Sequence, residues 1–217
     1  PMQLPFILGI EAVGKVQIVG AQVSLYQEGD RVGYAGYMGG NYAEYTCVPQ
    51  DRLVPIPPSI PDKVAAASLL QGMTAHCLTE DVYPIKTGEQ ILVHGGAGGV
   101  GIFLIQMAKN RGAQVFTTVS NQHKADIARS FGADHVNNYQ KQNFYDEVMK
   151  LTKNQGIHAV FDSVGRQTFD QGLNLLKVKG HMVVFGLSSG PVPLFDINRL
   201  SGITGAKSRG SLFLTWA

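Results

Sequence analysis

The residues best placed to do chemistry lie in one short run, Gly95-Gly96-Ala97-Gly98-Gly99-Val100-Gly101, preceded by the apolar Ile91-Leu92-Val93-His94. An apolar strand leading into Gly96-x-Gly98-x-x-Gly101, with helix-forming residues straight after, is the spacing that cradles a pyrophosphate. Gly96 permits the tight turn, Gly98 lets backbone approach the phosphates, and Gly101 lets the helix pack close to the sheet. The N–H groups at the start of that helix, with its positive dipole end, then face an anion. The chemistry implied is dinucleotide binding at Gly96, Gly98, Gly99, Val100 and Gly101.

Which dinucleotide depends on the next strand. An NAD site places a carboxylate about 20 residues beyond the loop to bond the ribose hydroxyls. Here the strand runs out through Thr117-Thr118-Val119 into Ser120-Asn121-Gln122-His123-Lys124, and the first carboxylate, Asp126, already lies in the following helix. Ser120 and Asn121 supply hydrogen-bond donors and Lys124 a positive charge, which suits a 2′-phosphate. The spacing therefore predicts NADPH over NADH; the structural alternative is that Lys124 is a solvated first-turn lysine.

Elements must exist to hold these groups. From Glu89 onward strand and helix patterns alternate, with strands expected at Gln90–His94, Gln114–Val119, His135–Asn137, His158–Asp162, His181–Phe185 and Ser211–Thr215. Helices are expected at Gly99–Asn110, Lys124–Phe131, Asn143–Thr152 and Thr168–Leu176, with Gly112 as a C-cap and Asn143 as an N-cap. That is a doubly wound α/β fold with a parallel sheet. Residues 1 to about 57 differ: short alternating stretches at Val16–Val19, Arg31–Tyr34 and Tyr42–Val48 read as strands of a small β unit. Prolines 55, 57, 58 and 61 mark the change, and two helices are expected beyond them, Val64–Leu70 and Met73–Asp81.

Composition sets the outer limits. The 217 residues are 44% apolar and 16% charged, with a formal net charge of +2. Such a chain builds a core, and no basic run or stripe argues for nucleic acid. Cys47 and Cys77 fit neither a disulfide framework nor a four-thiolate zinc site, which favours a reducing, cytoplasmic setting. No apolar run reaches membrane-spanning length.

The span Gly88 to Gly101, continuing to Gln106 and Lys109, resembles the signature of the zinc-free quinone oxidoreductase and ζ-crystallin-like family within the medium-chain dehydrogenase/reductase superfamily. Further landmarks agree: Gly9-x-Glu11 with Gly14 and Gly20, Gly29-Asp30-Arg31-Val32, and Gly40-x-Tyr42-Ala43-Glu44-Tyr45. So do Ala65-Ala66-Ala67 before Gly72-Met73-Thr74-Ala75, Phe161-Asp162-Ser163-Val164-Gly165, and Phe185-Gly186-x-Ser188-Ser189-Gly190. The resemblance implies a partial GroES-like substrate domain with its linking helix over residues 1–72 and a Rossmann domain over 73–217, with NADPH between them. It implies cofactor contacts at Thr74, Gly99 and Val100, at Ser120 to Lys124 and Tyr139 around the 2′-phosphate, and at Val164 and Gly186, Leu187, Ser188 and Ser189. Read alone, Tyr139 is an aromatic after a strand, and Ser188 and Ser189 are ordinary loop residues.

Zinc-dependent relatives carry His where Ile10 stands and Cys where Ala67 stands, and neither replacement offers a lone pair to a metal. Glu11 is expected to be a paired buried carboxylate. The implied activity is NADPH-dependent reduction of a quinone-type acceptor, with the cofactor carrying the chemistry and no side chain assignable as catalytic. The alternatives are reduction of activated C=C bonds in enals or enones, and a non-catalytic NADPH-binding role of the crystallin or RNA-binding kind. Near-neutral charge opposes RNA. Relatives commonly dimerise by pairing edge strands, which points to Ser211–Thr215, with Trp216 just beyond it. The family's pattern also has further N-terminal strands and a C-terminal return segment, whose contacts this sequence cannot name.

Overall fold

The computed structural model describes residues 5–36, 40–200 and 211–214, the last four as backbone only. The chain divides into two compact units, Pro1–Met73 and Thr74–Ala217.

Unit one holds an antiparallel three-stranded sheet, β1 Glu11–Lys15, β2 Arg31–Ala35 and β3 Val54–Pro55, in the order β1-β2-β3. The long helix α1, Asp62–Cys77, begins in this unit. Glu11 reaches α1, accepting from the Leu70 N–H at 3.1 Å and the Gln71 Nε2 at 3.4 Å.

Unit two is a six-stranded parallel sheet. Its elements are β4 Gln90–His94, α2 Gly99–Asn110, β5 Gln114–Val119, α3 Gln122–Ser130, β6 His135–Asn138, α4 Phe144–Leu151, β7 Ile157–Asp162, α5 Phe169–Asn174, β8 Leu176–Val184 and β9 Ser211–Leu214. The strand order is β6-β5-β4-β7-β8-β9, every pairing parallel. The chain starts at β4, winds outward to β6, and returns to β7 on the other side of β4. The strand ends of β4 and β7 are thus the topological switch point where doubly wound sheets take ligands.

Both sheet faces are covered, which is why the strands read as continuous apolar runs. Ile91 and Val93 pack with Leu104, Ile105 and Ala108 of α2 and Ala125 and Ala128 of α3. Leu92 and Phe116 face the other way, onto Phe144, Val148, Phe169 and Leu173 of α4 and α5. Helix α2 buries Gly101, Leu104, Ile105 and Ala108, one i, i+3, i+4, i+7 stripe. It closes in a Schellman motif, the Ala113 N–H bonding the Ala108 carbonyl and the Gly112 N–H that of Lys109. Asn143 caps α4, its side chain accepting from the Tyr145 N–H at 2.8 Å.

Several sequence expectations are corrected. The strand expected at Val16–Val19 lies earlier, at Glu11–Lys15, extended by one bonded pair between Val16 and Asp30. Residues 42–44 form a bend and residues 45–48 are irregular, so no strand forms there. The two helices expected on either side of Gly72 are one helix, α1, running into a π-helical turn at Leu78–Val82. Strand β8 begins five residues before the expected His181, because a register shift against β7 lets the chain bulge through Lys179, at φ +64°, and rejoin the sheet. Thr215 and Trp216 lie outside the described residues.

Candidate functional site

Hydrogen bonds between neighbouring loops draw the predicted segments together at the carboxyl ends of the strands. Beyond β6, the Tyr139 N–H bonds the Val119 carbonyl at the end of β5, at 3.1 Å. Within the last residues of β5, the Thr118 carbonyl accepts from the Gly96 N–H at 3.2 Å. The Ser163 hydroxyl, after β7, donates to the His94 carbonyl at 3.4 Å. Across the last gap, the N–H groups of Ser188 and Ser189 bond the carbonyls of Ser163 and Val164. One continuous edge therefore carries, in spatial order, Tyr139, Ser120 to Lys124, the glycine loop, Val164, and Gly186 to Ser189. Thr74 lies in α1, half-buried, and its neighbour Ala75 belongs to the core against which Val100 packs.

The glycine loop is shaped by exclusion. A Cβ on Gly101 would overlap the Gly95 carbonyl oxygen and the Gly96 Cα, both backbone; one on Gly96 would overlap the Thr117 side chain, whose hydroxyl donates to the Val93 carbonyl. Gly98 sits in the N-cap position of α2, exposed, and no side chain caps the helix. Among the described residues no side chain takes the first N–H groups of α2 as a cap, which fits a pyrophosphate.

At the end of β5 the Asn121 side chain accepts from the Lys124 N–H at 2.9 Å, making Asn121 the N-cap of α3. Its carbonyl oxygen is thereby committed to the helix, while Lys124 stands exposed in the first turn. Asp126, the first carboxylate after the strand, is engaged by Gln122 at 2.8 Å and Arg129 at 3.1 Å. Tyr139 is exposed. Ser188 is exposed, but the Ser189 hydroxyl donates to the Val164 carbonyl at 2.7 Å and accepts from the Gln167 N–H at 3.1 Å, so it holds the loop together.

Two buried groups at this edge carry no role in the sequence reading. Asp162 is wholly buried, accepting from the N–H groups of Val164 and Gly165 and from the Thr168 hydroxyl. A strand-ending Asp before Ser-Val-Gly is an Asx-turn signal that could have revealed it. His94 is buried too, its Nδ1 3.0 Å from the Thr118 hydroxyl and its ring perpendicular to Phe144. Burial pushes its pKa below the ordinary histidine value, with the Asp162 charge opposing. A cavity of about 200 Å³, lined by Phe116, His135, Asn137, Glu147 and Val148 among others, contains none of the predicted contact residues. A pyrophosphate on a helix N-terminus needs an open edge instead.

The comparisons with known proteins agree with this architecture. Residues 1–58 match the alcohol dehydrogenase GroES-like domain, and residues 99–217, more than half of the chain, match the zinc-binding dehydrogenase family. The chain belongs to the medium-chain dehydrogenase/reductase superfamily, in its quinone oxidoreductase family. It is 39% identical over 212 residues to a quinone oxidoreductase of Pseudomonas aeruginosa, covering 98% of this chain and 63% of that protein. The solved Escherichia coli quinone oxidoreductase complexed with NADPH superposes with a TM-score of 0.89 at 38% identity, over 100% of this chain and 65% of the other. A 2-haloacrylate reductase of Burkholderia is 33% identical over 97% of this chain and 62% of its own length. The chain thus spans a little under two thirds of the relatives it matches.

The family description raises the question of zinc. The positions that would carry its ligands hold Ile10 and Ala67, and the Glu11 carboxylate is taken by α1. Among the described residues no group of three or more His, Cys, Asp or Glu side chains comes together. That donor set does not fit zinc.

Proposed function

We propose that the protein is an NADPH-dependent quinone oxidoreductase that works without zinc. The observation that carries this reading is the uncapped N-terminus of α2 behind an overlap-tight glycine loop, beside a β5 end whose first carboxylate is already engaged and whose exposed charge is Lys124. The NADPH complex of the E. coli relative supports it.

In this reading unit two is the cofactor domain and unit one belongs to the substrate domain. Gly99, Val100 and Gly101 receive the pyrophosphate on backbone N–H groups, and Gly96 and Gly98 let the backbone approach it. Ser120, Asn121, Lys124 and Tyr139 surround the 2′-phosphate. Thr74, Val164 and Gly186 to Ser189 line the rest of the groove. When bound, NADPH supplies the reducing equivalents, which a quinone accepts without needing a strong Lewis acid. The side chains bind, orient and exclude water, and none is assigned as a catalytic acid.

A second reading, reduction of activated C=C bonds, is favoured by the 2-haloacrylate reductase relative. NADPH consumption by the full-length protein with an ortho-quinone, and separately with a simple enone, decides between them. Rapid turnover of the quinone alone supports the first; preference for the enone moves the protein to the alkene reductases.

A cytoplasmic location accords with two free, exposed cysteines, and among the described residues no helix is long and apolar enough to cross a membrane. We further propose a homodimer through β9, the last strand in the sheet order among the described residues, whose outer edge could pair with the same strand of a second copy. Sedimentation of the full-length protein as a monomer at micromolar concentration would contradict that.

A further inference from the structure

The buried pair His94 and Thr118 is not accounted for by dinucleotide contact, yet it meets the glycine loop from beneath. Thr118 faces His94 across the β4–β5 pairing and holds two successive loop amides. Its carbonyl accepts from the Gly96 N–H at 3.2 Å and its hydroxyl oxygen from the Gly95 N–H at 3.3 Å. Gly95 is the residue that turns the chain out of the strand, at φ +69°, a conformation other residues rarely adopt. Its carbonyl in turn accepts from the Gly98 N–H at 2.8 Å and lies against Gly101. The position of Gly95 therefore sets where the N–H groups of α2 point.

The Thr118 hydroxyl, already accepting from Gly95, has one proton to donate, and among the described residues His94 Nδ1 stands within reach at 3.0 Å. Donation to Nδ1 uses that proton and goes with the ring tautomer that carries its proton on Nε2. Among the described residues Nε2 has no hydrogen-bond partner, and the ring stands perpendicular to Phe144 with centroids 4.8 Å apart. Around the imidazole, β5 contributes the neutral Thr118, α4 the neutral Phe144, and β7 the Asp162 carboxylate.

We propose that His94 is a positioning residue: as a neutral imidazole it orients the Thr118 hydroxyl so that its oxygen holds the Gly95 N–H, and so fixes the loop that receives the pyrophosphate. This rests on the cofactor reading above, and it predicts a split between variants that keep an acceptor and those that do not.

The test compares His94→Asn, whose amide oxygen can stand where Nδ1 stood, with His94→Leu, and Thr118→Ser with Thr118→Val. NADPH dissociation constants and amide exchange at Gly95 and Gly96 are read in the full-length protein, at a temperature where thermal melts show each variant folded. His94→Leu and Thr118→Val should weaken NADPH about tenfold, the cost of one lost hydrogen bond, and speed exchange at Gly95. His94→Asn and Thr118→Ser should stay within about twofold of the parent. A purely packing role would lower the melting temperature of the leucine and valine variants without moving folded-state affinity or Gly95 exchange. That result, or equal losses in His94→Asn and His94→Leu, overturns the proposal. Should His94→Leu not fold, the Thr118 pair carries the test alone. If the parent fails to bind NADPH, the cofactor reading falls, and Gly95 exchange still decides the role of His94.

Discussion

Two loops leave adjacent strands at the same edge of the sheet and solve opposite problems. The loop after β7 satisfies itself: Asp162 takes two backbone N–H groups and the Thr168 hydroxyl, and Ser189 buttons Val164 from the neighbouring loop. The loop after β4 carries no such side chain, and glycines bring its backbone close to α2. A loop whose donors are already used is a scaffold. A loop that leads into a helix whose first N–H groups no side chain caps is suited to receive an anion. On the proposed reading the first loop receives the ligand and the second has a supporting role.

The contrast can be broken from either side. Gly101→Ala is expected to have the largest effect: its Cβ meets the Gly95 oxygen and Gly96 Cα, backbone that cannot swing aside. NADPH affinity should fall at least about a hundredfold in a binding titration. Asp162→Ala should act on stability first, costing about 3 kcal/mol in urea unfolding as three donors lose their acceptor. Its residual affinity, measured while folded, should exceed that of Gly101→Ala. If Asp162→Ala abolished binding with stability intact, the scaffold assignment would be wrong.

Acid should also weaken the fold. Burial holds His94, His158 and His181 below the ordinary histidine range. The unfolded chain then takes up protons before the folded one. The contribution is fully present above about pH 6.5, the unfolded value, and is lost as pH falls through the folded values. Urea midpoints between pH 7.5 and 5 should therefore decline, and less steeply in His94→Asn. The smallest effect belongs to Lys124→Ala: an exposed charge, it should cost NADPH about fivefold in affinity while leaving NADH unchanged.

How legible the molecule is from its sequence differs between its two units for a physical reason. In unit two Ile91 and Val93 are buried on one sheet face and Leu92 on the other, so an unbroken apolar run suffices to announce a strand. In unit one the same alternation misleads. Ile18 is 85% exposed, and Tyr42 and Tyr45 are also exposed, so apolar residues there do not mark a buried strand face. The helix break expected at Gly72 does not occur: no neighbour crowds the glycine, and the cost of about 1 kcal/mol relative to Ala does not outweigh sixteen residues of helix. At the site, the glycine loop and Lys124 are visible because their spacing is local. The links from Thr118 to His94 and Gly95, and from Ser189 to Val164, are not, because each joins residues more than twenty positions apart.

The most direct measurement of the central claim is a paired equilibrium titration of the full-length protein with NADPH and NADH at low salt. The account predicts saturable NADPH binding at least about tenfold tighter than NADH, from the phosphate's charge-assisted bonds beside Lys124. Equal affinity for the two cofactors, or binding that survives Gly101→Ala, would contradict it.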